Sequence, residues 1–185
     1  MQGRLLDINL SLGTVALGSG GVETLSKTYN AESGAPYGFA IDDERAFFTF
    51  STKEESTGKN FSYAVIAKDD GAGGVVFGDV QELITEDYED GAFISSCSPI
   101  DDKNVFIYSG LKLLDGMTEV EGSAVMVAEV FDMEIDVSGG FRHLAGFGSS
   151  GIKSVGIACS AEQAFIVDHT ESNEWKSFSF TREIT

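Results

Sequence analysis

Short runs of apolar residues, or of alternating apolar and polar residues, recur along the chain between stretches rich in glycine, aspartate and serine. Phe, Val, Ile and Tyr dominate these runs, and such branched or aromatic side chains fit a pleated, half-buried surface better than a helix. Over the segment 37–83 the pattern predicts four strands, called a, b, c and d, at 37–41, 45–51, 61–68 and 75–83.

Two stretches have features of a helix. Residues 80–88 place apolar side chains at helical spacing, and residues 125–135 are apolar enough for a buried helix. Because acidic or glycine-rich interruptions keep both stretches short, we predict strands there as well.

The same succession of strands repeats when the sequence is aligned with itself. Residues 40–48 match 99–107, and 158–166 repeat them more weakly. Further along, 64–68 and 76–83 match 125–129 and 137–144, so the step is slightly longer there. The sequence therefore predicts one all-β repeat domain over 1–185, with about three four-stranded units of about 59 residues.

The predicted units occupy 37–83, 92–144 and 152–185, and the third stops before a strand d of its own. The N-terminal segment 1–25 resembles an orphan c and d, because 21–25 echo 79–83. We expect this orphan pair to complete an unfinished unit.

That permuted arrangement resembles the closure of β-propellers, in which an early strand completes the last four-stranded blade. The resemblance is architectural, since the chain has neither the tryptophan-aspartate nor the kelch signature. Closed propellers have about four to eight blades, so the resemblance implies that two or three chains join edge to edge, as in small propeller lectins. A β-sandwich or an open stack of β-repeats is the alternative.

The charge narrows the range of partners. Thirty acidic and twelve basic residues give a net charge of −18, which repels nucleic-acid phosphates and anionic lipid. Neither nucleic acid nor membrane is therefore expected as a partner. No apolar run reaches the roughly 20 residues of a transmembrane helix, and residues 1–12 lack the features of a signal peptide, so neither element is predicted.

The residue types that carry catalysis or bind metals are few. His143 and His169 are the only histidines, too few for a histidine-based zinc site. Cys97 and Cys159 lie in apolar runs and are expected to be buried free thiols. Residues 146–151 spell G-x-G-x-x-G, but the predicted strand that follows favours a turn over a dinucleotide site, which needs a helix there. We therefore expect no enzyme and no cofactor.

The acidic pairs recur most regularly among the polar features, as at 42–43, 69–70 and 101–102. Aspartate is a common turn residue because its carboxylate bonds to the local backbone, and we favour that role over calcium binding, which stays possible. The glycine-rich segments 18–21 and 71–74 are predicted to be equivalent c-to-d turns.

Two functions remain. The chain resembles structural proteins of virions in three features: a compact repeat without identifiable chemistry, an acidic surface and unfinished sheet edges. This resemblance implies a phage tail, fibre, collar or capsid-decoration subunit located in the virion, with the cytoplasm as the alternative location. Its partners would be copies of itself and other structural proteins. The alternative is a carbohydrate- or ligand-binding module, for which Trp175 and Tyr108 are the candidate residues, because sugars stack on aromatic rings.

Overall fold

The fold is all-β. The computed structural model describes residues 2–3, 6–9, 11, 14–17, 19–20, 23–24, 37–53, 60–83, 92–115, 118–140, 142–144, 154–160, 163–169 and 175–181. All regular secondary structure in these residues is β-strand, and every strand pairing is antiparallel, so the predicted fold class is confirmed at this level. The described residues contain no helix that is long and apolar enough to cross a membrane.

The N-terminal strands form what we call the N-terminal half-sheet. It consists of β1 (Gln2–Gly3), β2 (Leu6–Asn9), β3 (Thr14–Leu17) and β4 (Glu23–Thr24). β2 pairs with β3, and β1 pairs with β4. The half-sheet thus has one line of strands, β1 and β2, beside a second line, β3 and β4.

Sheet I follows, with β5 (Tyr37–Ala40), β6 (Arg45–Lys53), β7 (Asn60–Asp69), β8 (Val75–Phe77) and β9 (Gln81–Glu82). Its order is β5-β6-β7-β8, and β9 also pairs with β7. These strands lie at the predicted a, b and c, while the predicted d is divided into β8 and β9.

Sheet II has the same strand order. It contains β10 (Ala92–Pro99), β11 (Asn104–Asp115), β12 (Thr118–Phe131), β13 (Glu134–Asp136) and β14 (Arg142–Leu144). β14 pairs with β12 as β9 pairs with β7. Of the segment 125–135, considered above for a buried helix, residues 125–131 lie in β12 and 134–135 in β13, so the strand prediction is confirmed there.

Sheet III consists of β15 (Ser154–Cys159), β16 (Gln163–His169) and β17 (Trp175–Thr181), in that order. β15 confirms the strand predicted after the G-x-G-x-x-G segment, whose residues 146–151 lie outside the described part of the chain. Within the described residues, β17 pairs with β16 alone, so the outer edge of β17 carries no strand there.

The division of strand d has a simple geometric cause. Between the pairs Ala67↔Phe77 and Ala64↔Gln81, β7 advances three residues (67 to 64) while the paired chain advances four (77 to 81). The extra residue makes a bulge, at which the ladder is interrupted. The interruption is longer in sheet II, where β12 advances four residues (129 to 125) and the paired chain six (136 to 142). We call the chain between β8 and β9, and the longer interruptions between β13 and β14 and between β3 and β4, the d bulges.

Sheet II is the middle layer of the structure. One face packs against sheet I through a cluster that includes Phe47 and Ile66 from sheet I and Val105 and Ile107 from sheet II. The other face packs against sheet III through a second cluster, which contains the following residues: Phe106, Tyr108, Ala164 and, partly buried, Ile100, Val125 and Cys159. Because neighbouring residues of β11 point to opposite faces, a single strand supplies both clusters.

The two clusters use equivalent positions. Phe47 pairs with Ile66 in sheet I, and Phe106, which corresponds to Phe47 in the repeat, pairs with Val127 in sheet II. Both phenylalanines are buried against the next sheet, Phe47 at 0% and Phe106 at 6% exposure. Sheet I therefore packs on sheet II with the same b-strand position that sheet II uses against sheet III.

Candidate functional site

The a–b turns and the c–d turns lie at one end of the sheets, which we call the turn end. In sheet I the amide of Asp69 donates to the carbonyl of Glu44 (3.0 Å), and in sheet II the amide of Val130 donates to the carbonyl of Lys103 (2.7 Å). These bonds join the last residues of strand c to the a–b turn of the same sheet. The turn end is therefore fixed by backbone hydrogen bonds.

Aspartates begin the a–b turns. Oδ1 of Asp42 accepts hydrogen bonds from the amides of Glu44 and Arg45 (3.0 and 2.7 Å). Oδ1 of Asp101 accepts from the amides of Lys103 and Asn104 (2.9 and 2.7 Å). These contacts are the turn role predicted for the acidic pairs, because each carboxylate satisfies backbone donors that the turn leaves unpaired.

The c–d turn of sheet I uses the second acidic pair in the same way. Oδ1 of Asp70 accepts from the amides of Ala72 and Gly74 (2.7 and 2.8 Å), and Oδ1 of Asp69 accepts from the amide of Gly71 (2.8 Å). The hydrogen bonds from Gly74 and Ala72 lower the pKa of Asp70. Bonds to the ionised carboxylate have this effect because they stabilise the charged form.

Arg45 links sheets I and II at the turn end. Its guanidinium donates to Oδ2 of Asp42 (2.7 Å), to the carbonyl of Asp132 (3.0 Å) and to the carbonyl of Asp102 (3.2 Å). The side chain is only 14% exposed. Asp102 and Asp132 belong to the a–b and c–d turns of sheet II, so one side chain holds both turns of the neighbouring sheet.

Asp132 also carries a conformational constraint. Its φ is 52°, the only positive value among the described residues other than glycine. Its carboxylate forms an ion pair with Nζ of Lys68 (2.9 Å), while its carbonyl accepts from Arg45. Two basic residues of sheet I thus hold the residue at which the β12–β13 turn adopts a left-handed backbone.

Glycines in the d bulges make the closest contacts between layers. A Cβ at Gly78 would overlap the carbonyl oxygen of Met133 in the c–d turn of sheet II, and a Cβ at Gly20 would overlap the backbone of Gly74 in the c–d turn of sheet I. The amide of Gly20 donates to the carbonyl of Gly73 (2.8 Å). The half-sheet therefore sits on sheet I as sheet I sits on sheet II.

This arrangement corrects one sequence prediction. The segment 71–74 does lie in the c–d turn of sheet I, but Ser19 and Gly20 lie between β3 and β4, in the d bulge of the half-sheet. The two glycine-rich segments are therefore not equivalent turns; they pack against each other. Oγ of Ser19 donates to the carbonyl of Ala72 (3.2 Å), which adds to this contact.

Sheet III covers sheet II less completely than sheet II covers sheet I. Val127 of sheet II occupies the position of Ile66 in sheet I, but Val127 is 45% exposed, whereas Ile66 is fully buried. On β16, Phe165 corresponds to Phe106 in the repeat and is 48% exposed. We call Val127, Phe165 and the outer edge of β17 the open end of the stack.

The two cysteines are free and unsuited to nucleophilic chemistry. Burial raises the pKa of Cys97 to about 11. Its sulfur lies 3.7 Å from Oγ1 of Thr49, so the thiol is part of the contact between sheets I and II. Burial also raises the pKa of Cys159, in the second cluster. Since the thiolate is the reactive form, neither residue is activated.

Of the two residues suggested for ligand binding, the structure describes the side chain of Tyr108. Tyr108 is fully buried in the second cluster, so its ring faces the core rather than solvent. Trp175 begins β17 and pairs with His169, and its side chain is outside the described part of the structure. His143 lies on β14, opposite Ala124 of β12. Ligand binding at Trp175 and Tyr108 stays a prediction.

The searches for relatives add no assignment. No protein-family model, no curated protein and no solved structure matches this chain. In the described part of the chain, no three His, Cys, Asp or Glu side chains come together in a group that could hold a metal ion. The open end of the stack is therefore the feature from which a function is argued.

Proposed function

We propose that this chain is a non-enzymatic structural subunit that assembles through the open end of its sheet stack. The observation that carries the proposal is the contrast between Ile66, which is fully buried by the next layer, and the equivalent Val127, which is 45% exposed. A repeated packing surface that is left uncovered at the end of a stack is typical of a component that adds further layers.

The proposed architecture is propeller-like, with three units as blades. Two features support it: the common strand order of sheets I and II, and the use of the same b-strand position, Phe47 and then Phe106, to pack on the following sheet. Radial repetition of one sheet-to-sheet interface is how propeller rings are built. A β-sandwich, with only two layers, fits the three packed sheets less well.

The polar chemistry of the described residues supports a structural role. Asp42, Asp70 and Asp101 hold turns, and Arg45 joins two sheets. Groups that catalyse reactions are usually held near a substrate with a pKa tuned toward the working pH, whereas these carboxylates are bonded to their own backbone. Stabilising turns is the only role that a structural protein requires of these carboxylates.

Within this class we propose a virion component, such as a phage tail, fibre, collar or capsid-decoration subunit. The net charge of −18 argues against contact with the packaged nucleic acid and favours a place on the outside of the particle. Partners would be copies of the chain and other structural proteins. This step rests on the resemblance in organisation and charge.

The test is to look for the chain in particles. Virus particles from the culture that carries the sequence are purified on a density gradient, and the chain is quantified by peptide mass spectrometry in each fraction. We expect it to sediment with the major structural proteins at a fixed ratio to them. Recovery of the chain only in the soluble fractions would contradict the virion assignment.

A glycan array with the purified chain tests the alternative. We expect no binding above background. A glycan that binds the native chain and is lost in the Trp175→Ala variant would instead support the ligand-binding function, because aromatic stacking supplies much of the affinity at such sites. A variant at Tyr108 would not serve, since the loss of a buried ring disturbs the fold.

A further inference from the structure

The d strands of one sheet help to cover the face of the sheet before it. The cluster that buries Ile66 of sheet I includes Ile135 on β13, with Met133 and Val137 packed against it. The d bulge of sheet I adds to this contact, because Gly78 lies directly against the backbone of Met133. Strand d of sheet II is therefore part of the surface on which sheet I closes.

The corresponding position in sheet III has no strand among the described residues. Val127, which corresponds to Ile66, is exposed there. Gly139 lies three residues before β14, as Gly78 lies three before β9 and Gly20 three before β4. Gly139 is exposed, and among the described atoms a Cβ added to it would meet only the carbonyl oxygen of Val127, at 3.9 Å.

The chain's own half-sheet is held elsewhere. Gly20 and Ser19 bond to the carbonyls of Gly73 and Ala72, which places the half-sheet on sheet I. Sheet III lies on the opposite side of sheet II, because sheet II packs with its two faces against sheets I and III. The half-sheet and the open end are thus at opposite ends of one stack.

The geometry points to a second copy of this chain as the occupant of the open end. We propose that the N-terminal half-sheet of a second copy pairs edge to edge with β17. Sheet I of that copy then stacks on the face that carries Phe165. This inference rests on the proposed assembly function and names the partner and both surfaces. The β3 and β4 line of the half-sheet takes the place of strand d, for which sheet III has no strand among the described residues. Phe165 gains the covering sheet that Phe47 and Phe106 already have.

The contact is head to tail, so it must close into a ring or continue as a filament. Each copy supplies sheets I and II, and each junction supplies one completed sheet III, which gives three sheets per copy. Two copies make a ring of six sheets and three copies a ring of nine. Since closed propellers have about four to eight blades, we infer a two-copy ring.

Sedimentation velocity of the purified full-length chain at micromolar concentration tests the inference. We expect a dimer for the native sequence. Val127→Lys and Phe165→Lys each place a charge in the buried contact and should raise the dimer dissociation constant by about 100-fold or more. Val76→Lys is the matched control, since Val76 is 42% exposed and pairs with Lys68, on the face of sheet I that is turned toward sheet II and away from the proposed contact.

Gly139→Gln is a second variant that needs no buried charge. A Cβ at this position makes only an ordinary contact with the described atoms, so far-UV circular dichroism and the melting temperature of the monomer should be unchanged while the dimer is lost. A native chain that stays monomeric overturns the inference. So does a dimer that survives Val127→Lys, Phe165→Lys and Gly139→Gln, because it would use a different surface.

The structural function and the second-copy contact can be contradicted independently of each other. A monomeric purified chain that is nevertheless present in particles at a fixed ratio would remove the second-copy contact and leave the structural function. A dimer that these variants disrupt, together with absence from particles, would keep the contact and remove the virion assignment.

Discussion

Single carboxylates at the turn end act on their own backbone. In Asp42 the hydrogen bond from the Arg45 side chain is the main cause that lowers the pKa from 3.8, and the amides of Glu44 and Arg45 act in the same direction. Because the folded state favours the ionised form, Asp42 stabilises the fold at pH values above 3.8. That contribution is lost as the pH falls through the lowered pKa of the folded state.

Asp42→Asn should therefore reduce the melting temperature at neutral pH and leave it nearly unchanged in strong acid, where both side chains are uncharged. The measurement is a series of thermal melts from about pH 7 down to about pH 2. Asp43→Asn, an exposed change in the same turn, is the control and should change the melting temperature only slightly. A gap between Asp42→Asn and the native chain that is the same at every pH would contradict the prediction.

Arg45 joins parts of the chain that are far apart in the sequence. Its partners Asp102 and Asp132 lie 57 and 87 positions away in the sequence. Arg45→Met keeps an unbranched apolar side chain but leaves two turn carbonyls without their donor. We expect the free energy of unfolding in urea to fall by about 1–3 kcal/mol, the usual cost of unmaking hydrogen bonds to a charged group.

Lys103→Met provides the comparison, because Lys103 is an exposed basic residue of the matching turn in sheet II. It should change the free energy of unfolding by less than about 0.5 kcal/mol. Equal effects of the two variants would mean that Arg45 contributes only its charge.

At the scale of the strand, much was predictable from the sequence. The alternation of apolar and polar residues and the repeat step locate β6, β7 and β11 within a few residues of their ends. Both signals are local or periodic, which is why one sequence suffices to read them.

The division of strand d was not predicted, because a bulge depends on register against the paired strand rather than on composition. The repeat did contain a signal for it. Gly78 and Gly139 occupy the same position when 76–83 is aligned with 137–144, and Gly20 precedes Gly78 by a similar step. Their roles differ with the layer packed against them, which the sequence alone does not reveal. For the same reason Tyr108, one of the residues suggested for ligand binding, proved to be buried.

β11 contributes to both core clusters, and its residues 105–108 are buried on both faces. Val105→Ala removes apolar groups from a fully buried position, and we expect a loss of about 2–3 kcal/mol in the free energy of unfolding. Val76→Ala, at a 42% exposed position, should cost less than about 0.5 kcal/mol. Urea unfolding measures both, and a small effect at Val105 would mean that sheet II is not the middle of the packed core.

For the whole molecule, charge opposes both folding and assembly. A net charge of −18 on 185 residues brings many carboxylates of one sign close together, and each added copy increases the repulsion. Bonds such as those of Arg45 and Lys68 offset part of the repulsion at the junction of sheets I and II. The rest of this repulsion is reduced only by the screening of dissolved ions.

Sodium chloride should therefore raise the melting temperature by several degrees between about 0.02 and 0.5 M and then level off, since the screening length falls from roughly 20 Å to below about 5 Å over this range. The same addition should lower the dimer dissociation constant. Calcium and magnesium chloride at equal ionic strength distinguish screening from ion binding. We expect equal shifts, because the turn carboxylates of Asp42, Asp70 and Asp101 are bonded to backbone amides. A clearly larger shift with calcium would reveal a specific site.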